Sequence, residues 1–336
     1  MRCDRVSLKE FRLPVLTFLA VVFTVALTFA TLELPGILNS VLRGYFPDIY
    51  WEPESIEALM NYARPIGYAC LVVVVALIFV GFITDRIRLS SIGSFAFFLP
   101  AFGYFAASMF FLTGIGILRV MWLPFWDSSP TLLKLGDVCY LPYHVVMYLF
   151  RFLGMEGIQL YNAGNSVASL VVGAGLLIFC ISTFTWLYGK FENRKLFDFW
   201  IYKYSRHPQY LGFILWSYGV MLLTTLAPVP FGGYQPEPSF PWLISTLLII
   251  CVALMEENKM VKQAEESYLE YRRNTPFMFP LPGFLSMIVT APNRILLKKD
   301  FPENGRDLVY TFVIYCTILI LLSILVKELN LFQGPL

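Results

Sequence analysis

Seven stretches of this chain carry no charged residue over lengths that few loops reach: Leu13–Leu32, Pro65–Thr84, Leu89–Leu118, Gly157–Gly189, His207–Pro236, Pro238–Met255 and Leu308–Val326. A helix crosses a bilayer with about 20 apolar residues. Seven such runs in 336 residues leave too little polar surface for a soluble globule. The sequence therefore predicts an all-α polytopic membrane protein. A β-barrel would show short alternating segments instead. Composition points the same way, with 57% hydrophobic and 14% charged residues, where soluble domains hold about 25% charged.

Charge placement predicts topology. Arg2, Arg5, Lys9 and Arg12 precede the first run, Pro47–Glu57 is acidic, and Arg86 and Arg88 follow the second run. Basic segments stay on the cytoplasmic side, which puts the N-terminus inside and the first loop outside. Lys190, Arg194, Lys195, Lys203 and Arg206 mark another inside segment. An even number of crossings must then separate Arg88 from Lys190. Leu89–Leu118 and Gly157–Gly189 supply them, and the 13-residue uncharged run Val138–Phe150 suits a re-entrant or interfacial piece. The expectation is about seven spans, with eight as the alternative. The first run is long and lacks a small-residue cleavage site, so it reads as a span or uncleaved anchor. Residues 331–336 resemble a viral 3C-type protease recognition sequence and read as a cloning remnant. The remainder divides into an N-terminal transmembrane region of unassigned role (1–160), a candidate catalytic core (161–300) and a last transmembrane helix (301–330).

Chemistry is expected where ionisable groups meet spans, because charge at that depth is expensive unless it lines a cavity or meets a polar ligand. One such stretch runs from Tyr202 to Gly212, and a second from Glu256 through Tyr268, Tyr271 and Arg272 to Pro280. The two flank a predicted helical hairpin. Arg206-His207 and Glu256-Glu257 therefore fall at the same membrane face. Arg206 offers a planar fork for a carboxylate or phosphate, or it snorkels to lipid phosphate. His207 can bond a ligand, act as a base, or cap the helix that Pro208 opens. Glu256 and Glu257 are adjacent and point about 100° apart on a helix, so one can face a cavity while the other meets Arg206. Tyr202, Tyr204, Tyr210, Tyr268 and Tyr271 offer hydroxyls and electron-rich faces for a cation, or form an ordinary interfacial belt. Arg272 and Arg273 suit a lipid head group or a plain anchor. His144, with Tyr140 and Tyr148 one turn away, reads as a core histidine or a channel lining. Phe284–Leu297 reads as a segment lying in the interface.

Several classes lack their marks. Six cysteines without a CxxC suggest neither a disulfide framework nor zinc, and two histidines exclude a histidine-rich metal centre. There is no GxGxxG, phosphate-binding loop, HExxH or GxSxG motif. No basic aromatic domain supports nucleic-acid binding.

The polar stretches resemble the integral-membrane methyltransferases that include isoprenylcysteine carboxyl methyltransferases and phospholipid methyltransferases. Tyr202, Lys203, Tyr204, Arg206, His207, Pro208, Tyr210 and Gly212 fit the first family pattern. Glu256, Glu257, Met260, Tyr268, Tyr271, Pro276 and Pro280 fit the second without a gap. The similarity spans roughly Val167–Pro280. It departs at Trp200-Ile201, where Gly-Pro is usual, at Ala264-Glu265 in place of Phe-Gly, and at Phe277, where arginine is common.

The resemblance implies S-adenosylmethionine as cofactor, a cytoplasm-facing site, and a lipophilic acceptor entering from the bilayer. The acceptor would be an isoprenylcysteine carboxylate, a phospholipid amine or a related nucleophile. It implies catalytic roles for Arg206, His207 and Glu256, and cofactor contacts from Tyr204, His207, Tyr210, Glu256, Glu257 and Tyr268. Arg206, Tyr271 and Arg272 would meet the substrate, and no metal is implied. The nearest enzymatic alternative is an NADPH-dependent membrane sterol reductase, which shares the His-Pro-x-Tyr-x-Gly segment. The other is a noncatalytic transporter or scaffold.

Overall fold

A computed structural model describes residues 4–34, 37, 40–41, 53–102, 123–226, 238–262 and 266–329. Among these residues there are helices and turns but no strand. In chain order the helices are α1 (Asp4–Leu32), α2 (Pro53–Ile83), α3 (Ile87–Phe102), α4 (Leu123–Ser128), α5 (Leu141–Phe152), α6 (Gly157–Phe191), α7 (Pro208–Leu226), α8 (Ser239–Lys262), α9 (Glu266–Asn274), α10 (Gly283–Leu296) and α11 (Gly305–Glu328). Short 3-10 turns cover Pro130–Lys134, Asp137–Tyr140 and Trp200–Lys203. Six helices are long and apolar enough to cross a membrane: α1, α2, α6, α7, α8 and α11. The remaining expected span, Leu89–Leu118, is described only as far as Phe102 at the end of α3. Residues 227–237, which connect the two helices of the hairpin, and the 331–336 tail lie outside the described residues.

α8 is the central helix. Leu243, Leu248, Cys251, Val252, Ala253 and Met255 are all buried along it, and the core extends from there to Phe82, Met221, Leu222 and Leu308. The outer helices expose apolar side chains, among them Phe18 and Val25 on α1, Val72 on α2, Leu170 and Leu177 on α6, and Leu321 on α11. That inversion is what a lipid-facing surface requires. Cys251 is buried as a small apolar residue, whereas Cys70 is exposed on α2. Hydroxyls inside the bundle return to their own helix, as with Thr24 to Ala20 O (2.8 Å) and Thr185 to Ile181 O (2.8 Å). A donor without water nearby has few other partners.

α6 and α7 approach each other closely, and glycine makes that possible. A Cβ on Gly212 would lie 2.6 Å from Phe179 N, and one on Gly219 would lie 2.7 Å from Val172 N. A Cβ on Gly175 would run into the Trp216 backbone. Without a hydrophobic drive between helices in lipid, such close backbone approach is a principal source of association.

Ion pairs and hydrogen bonds sort the helix ends. Arg12–Glu192 (3.3 Å) and Asp85–Lys262 (3.1 Å) join the start of α1, the end of α6, the end of α2 and the end of α8. Arg64–Asp127 (2.9 Å) and Ser239–Asp137 (2.7 Å) join the opposite end. Val138 N also bonds Ser323 Oγ there (3.2 Å), near the end of α11. The short α5 starts and finishes at this second end. Tyr140 Oη lies 2.9 Å from Thr225 Oγ1 near the end of α7, and α6 begins immediately after α5. Val138–Phe150 is thus a turn plus a three-turn helix. His144 sits there between the rings of Tyr140 and Tyr143.

Candidate functional site

Pro208 starts α7 and α8 ends beyond Glu257, so the hairpin delivers both polar stretches to one end of the bundle. Around them the chain ties itself tightly. Arg206 N donates to Pro276 O (3.0 Å), Tyr271 Oη donates to Tyr202 O (2.7 Å), and His207 N donates to Ser205 Oγ (3.3 Å). These bonds fasten the 202–207 turn to α9 and to the exit that follows it.

Glu257 is the hub, with a side chain only 1% exposed. Its Oε1 lies 3.1 Å from Arg206 Nε and 3.3 Å from His207 Nε2, and its Oε2 lies 3.6 Å from Arg272 Nε. The Arg206 contact is ionic rather than hydrogen-bonded, because neither Nε nor Nη1 of Arg206 has an aligned acceptor. Burial lowers the Arg206 pKa and Glu257 opposes that shift. Glu256 points elsewhere, accepting from Tyr210 Oη at 2.9 Å. The adjacent carboxylates therefore divide as their 100° separation implies.

Aromatic rings close the cluster. Phe277 packs on His207 with centroids 5.0 Å apart, and the Arg206 guanidinium lies 5.8 Å from the same ring. Phe277 stands where the family pattern usually has arginine. Here it offers a face to a cation instead of adding another one. Trp200 stacks on Phe184 at 5.6 Å and has φ of +51°, a left-handed backbone that a bulky residue adopts rarely. Tyr268 is buried with an unpartnered hydroxyl, and burial followed by the Glu257 charge pushes its pKa up to about 12.

Two cavities flank this cluster. The larger, of about 900 Å³, is lined by Arg206, Arg272 and Phe277, by α8 residues such as Cys251 and Leu254, and by α10 and α11. The smaller, of about 700 Å³, is lined by Gln209, Tyr210 and Phe213 of α7 and by residues of α1, α3, α6 and α8, most of them apolar. Both volumes lie in the range of small-molecule sites, about 300–1,000 Å³.

The structure gathers Arg206, His207, Tyr210, Glu256, Glu257, Tyr268, Tyr271 and Arg272 at one end of the bundle. Arg206 and Arg272, expected at the substrate, line the larger cavity, and Tyr210, expected at the cofactor, lines the smaller one. Tyr204 stands apart: it is 70% exposed, outside the buried cluster that holds the other expected cofactor contacts. Sequence reasoning missed the far wall of the larger cavity, formed by Asn293, Thr311 and Tyr315. It also missed the contribution of α1 and α3 to the smaller one. Both lie outside the stretch that carries the resemblance, and no motif marks them.

No family model, curated protein or solved structure matches the chain.

Proposed function

We propose that this protein is a membrane-embedded methyltransferase that uses S-adenosylmethionine and a lipophilic acceptor. The observation that carries the reading is the convergence of two polar stretches, about 50 residues apart in sequence (Arg206 and His207 against Glu256 and Glu257), with Arg206 of that cluster lining a cavity of small-molecule size. The residues fit the cofactor. Arg206 lines the larger cavity, and its Nε and Nη1 have no aligned acceptor among the described residues; a guanidinium at a cavity edge suits a carboxylate. Arg206, Arg272 and Arg273 line the larger cavity against Asp300 and the adjacent Glu257, which leaves its edge one positive charge in excess and suited to an anion.

When bound, S-adenosylmethionine supplies a methyl group already activated on sulfonium. An acceptor lone pair forms the new bond to carbon as the carbon–sulfur bond breaks, and that electron pair stays on sulfur. The chain's own task is alignment and exclusion of water. In this reading Arg206 and Arg272, which the resemblance puts at the substrate, orient the donor in the larger cavity instead. His207 is held by Glu257 and Phe277, and Glu256 is held by Tyr210. Tyr210 places the second, apolar cavity against this cluster, and that cavity is the path for the acceptor from the bilayer. A carboxylate acceptor needs no base, whereas an amine surrenders a proton to Glu256 or His207. The reading includes seven spans, with Leu89–Leu118 as the seventh, and a cytoplasmic site set by the flanking basic residues.

Calorimetric titration of detergent-purified protein with S-adenosylhomocysteine, with NADPH in parallel, tests the reading. Binding of the homocysteine ligand alone is expected. Binding of NADPH alone moves the assignment to a reductase, and binding of neither by folded protein removes it.

A further inference from the structure

Beyond the end of α6 the chain builds a floor of aromatic rings. The helix stops with Arg194 N donating to Gly189 O (2.9 Å) and Asn193 N donating to Lys190 O (3.1 Å), with Asn193 at φ +53°. Asparagine tolerates that left-handed conformation, so the chain turns back on the helix there. Phe197 fills the notch at Gly189, where a Cβ would run into its ring. Phe199 packs against Tyr188 with centroids 6.0 Å apart, and Trp200 lies 4.8 Å from the same tyrosine ring.

Two cations rest on this floor. Lys190 Nζ lies 5.7 Å from the ring centroids of both Trp186 and Phe197. The Arg194 guanidinium lies 4.5 Å from the Phe199 centroid, and the rings of Phe197 and Phe199 are 6.5 Å apart. Neither cation has a carboxylate partner among the described residues. The acids of the same segment are engaged elsewhere. Glu192 pairs with Arg12 at 3.3 Å, and the charge of Asp198 acts on the Tyr271 hydroxyl of α9. Ring contacts hold the two cations in place without neutralising them. Lys203, in the turn that follows, is exposed as well. Trp186 and Trp200 are 38% and 46% exposed, the position of indole rings at a membrane–water interface.

We propose that Lys190 and Arg194 form a binding site for the phosphate of an anionic phospholipid in the leaflet at the Arg206 rim. The phosphate supplies the negative charge that the floor lacks, and both cations donate to it. Its acyl chains meet the apolar side chains that α6 exposes further along, Ile181 and Leu177. A soluble anion would satisfy the cations but leave that surface uncovered. Phe197 also packs on Tyr202 at 6.1 Å, and the Tyr202 carbonyl takes the Tyr271 hydrogen bond. A lipid held here therefore bears on the turn that carries Arg206 and His207. The site stands whether or not the protein transfers methyl groups.

The test uses the full-length protein in detergent micelles and reads tryptophan quenching by lipids brominated on their chains. Brominated phosphatidylglycerol is compared with brominated phosphatidylcholine, which has the same chains and phosphate but no net charge. The intact protein is expected to bind the anionic lipid about tenfold more tightly. The double variant Lys190→Gln, Arg194→Gln is expected to lose that preference. Both side chains are exposed, so their removal leaves the core intact. The control Arg86→Gln, Arg88→Gln removes two other exposed cations of the same rim and is expected to keep the preference. Equal quenching by the two lipids in the intact protein overturns the site. So does a preference that the Lys190 and Arg194 variant retains, or one that both double variants reduce alike, because diffuse rim charge then explains it. Displacement of the anionic lipid by an equal concentration of inorganic phosphate overturns the lipid as occupant.

Discussion

Glu257 shows how much can depend on one carboxylate. Three cationic or ionisable groups approach it, and it is almost completely enclosed. Removing one partner of a buried ion pair leaves the other uncompensated, at about 3–5 kcal/mol. Glu257→Ala should therefore lower stability in detergent by that amount, read from chemical unfolding. Glu257→Gln should cost less, because the amide oxygen still accepts. A loss below about 1 kcal/mol for the alanine variant would mean that solvent reaches Arg206. Tyr268 permits a pH prediction. Its folded pKa is raised to about 12 above the ordinary value of about 10. The unfolded chain therefore loses this proton first. Stability from this group is complete below pH about 10 and falls as pH climbs towards about 12. Tyr268→Phe should flatten that alkaline limb, and an unchanged limb would assign the loss to Tyr202 and Tyr271, which burial also raises.

At the scale of elements, the hairpin of α7 and α8 is the part that sequence made legible. Pro208 marks a helix start, and Glu256-Glu257 follow an apolar run of spanning length, so their meeting follows from helix geometry alone. The same pattern could not say which carboxylate meets which partner, because that depends on helix rotation. Gly212 was legible as part of a motif but not as a contact, since its reason is the backbone of Phe179 on another helix. Asn293 and Thr311 gave no signal, because single polar residues in helices are common and their shared cavity exists only after α10 folds back on α11. The glycine contrast is testable within one helix. Gly175→Ala puts a methyl group into the Trp216 backbone, while Gly173→Ala meets nothing within 4 Å. The first should destabilise by about 1–3 kcal/mol and the second should stabilise by up to about 1 kcal/mol through helix propensity. Equal melting temperatures for the two variants would show that α6 and α7 can separate enough to relieve the clash.

For the whole molecule, the contacts at the helix ends define two opposite rims. Glu192 and Lys262 belong to the rim that holds Arg206, and Asp127 belongs to the other, where Arg64 meets it. Six helices long and apolar enough to cross a membrane were readable, with their order, from apolar length. The pairing of ends was readable only through charge bias, because helix-to-helix packing in lipid relies on small residues and local fit, which carry weak sequence signals. A cysteine-free variant carrying Glu192→Cys should react with a membrane-impermeant maleimide from the cytoplasmic side alone. One carrying Asp127→Cys should react from the opposite side alone. Glu192 is exposed, and Asp127, whose side chain is 18% exposed and paired with Arg64, lies outside the buried core, so labelling reports sidedness rather than folding. Reaction of both from one side would contradict the two-rim arrangement. Opposite reaction with the sides exchanged would keep the arrangement and invert the membrane orientation. The Arg206 cavity would then face away from the cytoplasm, where S-adenosylmethionine is made, and the proposed chemistry would lose its methyl donor.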